Sequence, residues 1–353
     1  MKALIAMSGG VDSSVAAYLS KWQGYECVGC TMKLYNNEDI GLSRSHTCCA
    51  LEDVEDARSV ARRIGMPYYV FNFSSDFREK VIGKFVRSYE SGITPNPCID
   101  CNRYMKFEKL YERAIILGCG YIVTGHYARI EKQDGRYLLK KAIDDTKDQS
   151  YVLHSLTQEQ LSRTIFPLGD MRKTEVRRIA EENGFINAKK PDSQDICFVP
   201  NGKYVDFLEH YTGKSYPAGN FVSTEGAYLG KHKGIVRYTV GQRKGLGISS
   251  QEPLYVKRIN ANDNTVILGK EQELYSNEVI ACDFNWILGE AQIGEMRCKV
   301  KTRYRQAERW ATAIPIGEST VKIIFDEPVR AVTPGQAAVL YDGDVVLGGG
   351  VIQ

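Results

Sequence analysis

Apolar residues in the first half of the chain gather in short unbroken runs, separated by longer stretches where they recur at helical spacing. The runs Lys2–Met7, Glu26–Met32, Pro67–Phe73 and Tyr121–Gly125 predict strands. The stretches Val11–Trp22, Phe77–Tyr89 and Phe107–Leu117 predict helices, the last burying Leu110, Ala114 and Leu117. Asp53 reads as the cap of a helix whose Val54, Ala57, Ala61 and Ile64 share one face. Thr157-Gln-Glu-Gln160 reads as a capping box before Leu161, and Thr174–Asn183 as a helix closed by Gly184. Strands separated by helices imply parallel pairing through right-handed crossovers. The expected fold class is therefore α/β, a doubly wound parallel sheet with its ligand at the carboxyl ends of the strands.

The pattern changes after about Pro200. Gly, Asn and Asp turns now separate short β-rich runs: Ile235–Val240, Leu254–Arg258, Thr265–Leu268, Met296–Tyr304, Arg309–Ile314, Thr320–Phe325, Ala337–Tyr341 and Val345–Gly348. Small antiparallel sheets or barrels are the expectation. Glu273–Asn277 reads as a connector. The division is then 1–200 for the α/β catalytic unit, 201–275 for a small β-rich central domain and 276–353 for an antiparallel β-barrel.

Composition narrows the picture modestly. The 353 residues allow two or three domains, and 43% hydrophobic content is ample for packed cores. A net charge of +3 is too small to announce a nucleic-acid binder, so any basic footprint must be local. The first apolar run is broken at once by Ser8-Gly9-Gly10, too soon for a signal peptide or a membrane span, and a cytoplasmic location without membrane contact is expected. Ten cysteines in such a setting read as thiols, metal ligands or catalytic groups rather than staples. Cys27, Cys30, Cys119, Cys282 and Cys298 sit in apolar or strand-like runs and read as small buried hydrophobes. Cys48 and Cys49 lie in a polar loop, and Cys98, Cys101 and Cys197 in loops with turn chemistry.

The strongest chemical signal is SGGVDSS, directly after the first strand. Gly9 and Gly10 permit a tight turn that brings backbone N–H groups close to a ligand, and Ser8, Ser13 and Ser14 add hydroxyls. The positive end of the following helix points at the same place, which suits an anion. No lysine follows the glycines, so this is not the GxxxxGK[ST] loop. It resembles the pyrophosphate loop of enzymes that cleave ATP to AMP and pyrophosphate. The backbone of Ala6, Met7, Ser8, Gly9, Gly10, Val11, Asp12 and Ser13 would hold the phosphates. Asp12 would hold Mg²⁺ or serve as a helix cap. Met32 would offer main-chain groups to adenine, and Gly125 would leave room for the nucleotide.

Two further loops carry thiols. In TPNPCIDCNRYMKF, Cys101 lies beside Arg103 and Lys106 near a helix start, which predicts a lowered thiol pKa. Cys197 follows Lys189 and Lys190 in KKPDSQDICF. Such a pair fits a nucleophile and its partner brought together by the fold. Farther on, Lys299, Lys301, Arg303 and Arg305 alternate, and on one strand all would face the same way, a basic ribbon for a phosphate backbone.

These strings, with TGHYAR, KDQSYVL, YTVGQRKGLGI, RYRQ and FDEPVRAVTPGQAAVLYDGDVVLGGGVI, resemble the tRNA-specific 2-thiouridylase family of the PP-loop ATP-pyrophosphatase superfamily along the whole chain. The resemblance implies ATP-dependent replacement of the C2 oxygen of the wobble uridine by sulfur. It makes Cys101 the nucleophile and Cys197 the persulfide carrier. It implies tRNA contacts at Asn96, Pro97, Cys98, His126, Lys147, Asp148, Gln149, Arg303, Tyr304 and Gln336, with a bend at Arg303–Tyr304. Lys, Glu and Gln acceptor tRNAs and a sulfur-relay carrier or cysteine desulfurase are the implied partners. Some members have Asp where Cys98 stands. With Cys98 present, Cys98, Cys101 and Cys197 would alternatively hold an iron–sulfur cluster with one iron open. The same loop also serves argininosuccinate and GMP synthetases, which add nitrogen and need no cysteine pair. A non-enzymatic RNA-binding module would leave SGGVDSS without a task.

Overall fold

The computed structural model describes residues 1–41, 51–192, 195–199, 202–290 and 294–353. Cys48 and Cys49 lie outside these residues. The first half runs β1 (Lys2–Ala6), α1 (Val11–Trp22), β2 (Glu26–Lys33), α2 (Leu51–Arg63), β3 (Tyr68–Asn72), α3 (Ser74–Phe77), α4 (Gly83–Glu90), α5 (Pro97–Asp100), α6 (Leu110–Ile116) and β4 (Tyr121–Thr124). A hairpin, β5 (Ala128–Gln133) and β6 (Arg136–Lys141), precedes α7 (Gln158–Ser162), β7 (Thr164–Ile165) and α8 (Lys173–Glu182). The sheet is parallel throughout, in the order β3-β2-β1-β4-β7. Side chains alternate across it. Ala3 and Ile5 of β1 pack with residues of α1, α2 and α8, while Leu4 joins the opposite core with α4 and α6. This is the expected doubly wound arrangement.

Several elements differ from expectation for local reasons. Asp53 lies within the first turn of α2 and is not its cap. The helix expected from Phe77 begins at Ser74 and contains a π-helical turn, Arg78–Ile82. The helix expected from Phe107 begins at Pro97, where Asn96 caps it and Pro97 takes the first position. A π-helical stretch, Cys101–Lys109, joins α5 to α6. Its wider turns break the 3.6-residue spacing, which hides the helix from periodicity.

The second half begins with α9 (Tyr204–Thr212), followed by β8 (Gly219–Ser223), β9 (Tyr228–His232), β10 (Tyr255–Asn260) and β11 (Thr265–Gly269) in one small sheet. Ile235–Val240 is not a strand. Gly234 and Gly241, both at positive φ, bracket a 3₁₀ turn at Ile235–Arg237. Then come β12 (Tyr275–Trp286), β13 (Met296–Lys301), β14 (Arg309–Gly317), β15 (Thr320–Arg330), β16 (Ala337–Asp342) and β17 (Val345–Ile352). The expected connector Glu273–Asn277 therefore already contains the start of β12. These six strands run β12-β15-β14-β13-β16-β17, and pairing of β12 with β17 closes the barrel. The β5–β6 hairpin of the first half extends the same sheet through β6 and β17.

Candidate active site

The pyrophosphate loop is preformed. Met7 N–H donates to the Cys30 carbonyl at 2.8 Å, so β1 stays paired up to the loop. Gly9 then turns at φ +77°, where a Cβ would stand 2.4 Å from the Asp53 carbonyl oxygen of α2. Gly10 caps α1, and its carbonyl accepts from the hydroxyls of Ser13 and Ser14 at 3.0 and 3.1 Å. Ser8 N–H donates to Ser13 Oγ at 3.1 Å. Asn187, 2% exposed, ties the Gly9 carbonyl and Ser14 Oγ together at 2.8 and 2.9 Å. The hydroxyls expected to donate to a ligand thus also brace the loop.

Asp12 opens the first turn of α1 without capping it. Its carboxylate accepts from Tyr127 Oη at 2.7 Å and from Lys173 Nζ at 2.7 Å on each oxygen. Lys173 also reaches Asp192 at 2.8 Å, which in turn takes Lys147 and Arg177, each at 2.8 Å. Burial alone would raise Asp192, but hydrogen bonds from Lys147 and Lys173 outweigh it and hold the carboxyl at about 2. Burial and the neighbouring Asp12 push the Tyr127 hydroxyl far up, keeping it a neutral donor.

Tyr127, Lys173, Asn187 and Asp192 were not among the residues expected at the site. Lys173 did leave a trace. A lysine as the first residue of α8, after Arg172 at the cap, opposes the helix dipole, and such a broken local rule marks a functional position.

Gly125 is required by the close approach of α1. A Cβ there would lie 2.7 Å from Ser13 N and 2.8 Å from the Asp12 carbonyl carbon. The head of α1 therefore packs directly against this glycine. Met32 pairs with Phe71 of β3, two residues beyond Cys30, the last partner of β1. By strand parity its N–H and carbonyl point to the β1 side, above the point where β1 has ended.

The thiols occupy a second wall. Asn96 Oδ1 accepts from Cys98 N–H at 3.2 Å, and buried Pro97 starts the helix. Cys98 is exposed, and Cys101, one turn on, is half-buried. The lowered thiol expected at Cys101 is not found. Burial pushes it up to about 11, with Lys106 opposing only in part, and surrounding protein raises Cys98 likewise. Cys197 is exposed, with its carbonyl accepting from Tyr35 Oη at 2.7 Å. The next residue, Phe198, is buried against Phe77, Phe85 and Phe207. Cys101 and Ile196 border that same core, so the two thiol loops flank one cluster. Among the described residues no set of three His, Cys, Asp or Glu side chains is grouped to hold a metal, so Cys98, Cys101 and Cys197 do not fit an iron–sulfur cluster as they stand.

The expected RNA contacts divide. His126 is 7% exposed, between the rings of Phe107 and Phe166, with its nitrogens on Thr124 Oγ1 and Lys106 Nζ. Burial, then the Lys106 charge, pushes its pKa well down. The imidazole thus has protein rings nearby, and little of it is open to a partner. Asp148 accepts from the N–H groups of Ala142 and Ser150, and Gln149 accepts from the N–H of Tyr127, the residue whose hydroxyl holds Asp12. β13 ends at Lys301, so the expected four-residue basic ribbon does not form. The chain turns there, and Arg303 donates to the carbonyls of Val240 and Ala331 and to Thr333 Oγ1. Tyr304 is 37% exposed, its ring tilted against Tyr151 with centroids 5.9 Å apart, and it lies within electrostatic reach of Cys98.

A parallel sheet carrying SGGVDSS beyond its first strand, with a carboxylate at the head of the next helix, defines a nucleotide-activating ATP pyrophosphatase. Family models described as "tRNA methyl transferase HUP domain", "tRNA methyl transferase PRC-barrel domain" and "Aminomethyltransferase beta-barrel domain" match residues 1–201, 205–270 and 276–352. The chain is 51% identical over its whole length to the tRNA-specific 2-thiouridylase MnmA of Clostridioides difficile, covering 98% of that protein. It is 50% identical to the one from Acetivibrio thermocellus and 49% to that of Symbiobacterium thermophilum, again over all of this chain and over 99% and 92% of theirs. The chain belongs to the tRNA-specific 2-thiouridylase family, and it is an ATP-using tRNA sulfurtransferase.

Proposed function

We propose that the chain converts the C2 carbonyl of wobble uridine 34 in tRNA to a thiocarbonyl, using Cys197 as sulfur carrier and Cys101 as the thiol that releases the product. One observation carries this reading: the loops that bear Cys101 and Cys197 flank one core, through Cys101 itself and through Ile196 and Phe198 on either side of Cys197, in a domain whose sheet ends in a pyrophosphate loop. The uridine O2 attacks the α-phosphorus of ATP, pyrophosphate leaves, and C2 gains AMP as leaving group. Backbone N–H groups around Gly9, Gly10 and Val11 steady the departing charge. The carboxylate of Asp12 is the oxygen donor Mg²⁺ favours, and the ion would supply charge neutralisation on the phosphates. The terminal sulfur of a Cys197 persulfide attacks C2 and AMP departs. Cys101 then attacks Cys197 Sγ, which frees 2-thiouridine and leaves a Cys101–Cys197 disulfide. A reducing thiol must open that disulfide before the next turnover.

Chemistry at a base requires it out of the stack, and Asn96, Pro97, Cys98 and exposed Tyr304 offer a wall for the flipped uridine. Lys147 and Gln336 complete the proposed tRNA-facing set. Residues 1–200, 201–275 and 276–353 would act as catalytic, central and tRNA-contacting units. Lys, Glu and Gln acceptor tRNAs, a relay carrier or cysteine desulfurase, and a cytoplasmic setting follow from the same reading. No helix among the described residues is long and apolar enough to cross a membrane.

Mass spectrometry of tRNA nucleosides after incubation with ATP, Mg²⁺ and a persulfide source tests the proposal. The expected product is 2-thiouridine with AMP and pyrophosphate in equal amounts. ATP–pyrophosphate exchange with citrulline or XMP and without RNA would point to nitrogen chemistry instead.

A further inference from the structure

Lys173 has no task in the chemistry above, yet it is the most committed cation at the site. It is 8% exposed and touches both oxygens of Asp12 at 2.7 Å. An ammonium in that position blocks the approach a divalent ion would use. Two cations on one carboxylate repel strongly where water is scarce. Lys173 also has a second acceptor already in place, Asp192 at 2.8 Å, and Asp192 is itself anchored by Lys147 and Arg177. It can therefore leave Asp12 without becoming an unpaired buried charge, the outcome that would otherwise make release costly. Its backbone adds a constraint. Lys173 N–H donates to Asp144 Oδ2 at 2.9 Å, which fixes the start of α8, so an exchange between Asp12 and Asp192 involves the side chain alone.

We propose that Lys173 is a positioning residue that stands in for the divalent ion, holding Asp12 while the nucleotide is absent and ceding it when metal and ATP arrive together. The inference rests on the reading of Asp12 as the metal ligand. Released from Asp12, the ammonium stays on Asp192, beside the loop that receives the polyphosphate, where its charge favours ATP. The arrangement makes metal entry conditional on nucleotide. Tyr127 remains on Asp12 Oδ1 and keeps the carboxylate aimed during the exchange.

Mn²⁺ retained by the full chain after rapid gel filtration, counted by its EPR signal after acid release and set against nucleotide alone because the phosphates bind Mn²⁺ themselves, tests this. The nucleotide used is α,β-methylene-ATP, so nothing turns over. Wild-type protein should bind Mn²⁺ with the nucleotide and lose that site in Asp12→Asn. Without nucleotide it should bind no more than Asp12→Asn does. Lys173→Gln should gain an Asp12-dependent site without nucleotide, roughly tenfold or more tighter than wild type. Lys173→Arg, which keeps the charge, should not. Lys173→Gln behaving like nucleotide-free wild type overturns the proposal. So does nucleotide-free wild type binding Mn²⁺ as tightly as with nucleotide, a comparison that needs no Lys173 variant to fold. If Asp12→Asn with nucleotide binds Mn²⁺ like wild type, Asp12 is not the metal ligand and the inference falls with that reading.

Discussion

Gln336 of the barrel and Thr94 of the cysteine loop are joined directly, the Gln336 side-chain amide donating to the Thr94 carbonyl at 2.8 Å. Thr94 N–H returns a bond to the Pro334 carbonyl at 3.0 Å. Gly335 sits between them at φ +91°, where a Cβ would meet Ile93 at 2.3 Å. The barrel thus presses its VTPGQ turn onto the segment that presents Cys98 and Cys101.

Arg303 should matter first for stability. Its guanidinium bonds three acceptors that link the central sheet's loop to the barrel. Arg303→Ala should cost about 2–3 kcal/mol in urea unfolding, typical for lost bonds to a charged donor. The salt slope of tRNA binding should stay as in wild type, whereas loss of a phosphate contact would lower it by about one.

Cys101 should react slowly at neutral pH. Burial holds its thiol up at about 11, so the thiolate fraction rises with pH well past neutrality. Iodoacetamide labelling of the Cys101 peptide, in protein without tRNA, should climb about tenfold per pH unit between roughly pH 7 and 9. A plateau by pH 8 would show that the thiol is lowered after all. Cys101→Ser should form no 2-thiouridine while keeping its affinity for tRNA.

Gly125→Ala should damage the ATP site through α1. The added methyl meets the backbone of Asp12 and Ser13, which cannot yield as a flexible side chain would. A loss of about 1–3 kcal/mol in stability is expected from overpacking, with ATP affinity falling alongside in calorimetry. Unchanged affinity would mean that the helix head does not set the phosphate site.

Asp192 should contribute to acid stability. Its folded pKa of about 2 lies below the unfolded 3.8, so its contribution is complete above about pH 5 and is lost as pH falls through 2. The shift corresponds to about 2 kcal/mol at most. The stability gap between wild type and Asp192→Asn should shrink across that window, and a gap constant with pH would count against the ion-pair network.

The sequence carried the pyrophosphate loop and the parallel sheet plainly, because both depend on local spacing. SGGVDSS sits where β1 hands over to α1, and Ala3, Leu4 and Ile5 divide between the two cores as a buried parallel strand requires. What stayed hidden depends on contacts between distant segments. The acidity of Cys101 is not legible in the sequence, where nearby cations are visible and burial is not. Arg303 looked like part of a ribbon because nothing local says that β13 ends at Lys301. The Asp12–Lys173–Asp192 chain spans three segments, and only the misplaced charge at the head of α8 hinted at it.

The pairing of β6 with β17 has a consequence for dissection of the protein. Leu139 of the hairpin is buried among Val339, Tyr341 and Val346 of the barrel. A fragment cut near residue 276 would strand a β edge and an apolar face in water, inviting self-association. The hairpin and the barrel share one sheet and one apolar cluster, so a cut between their family boundaries runs through a continuous core.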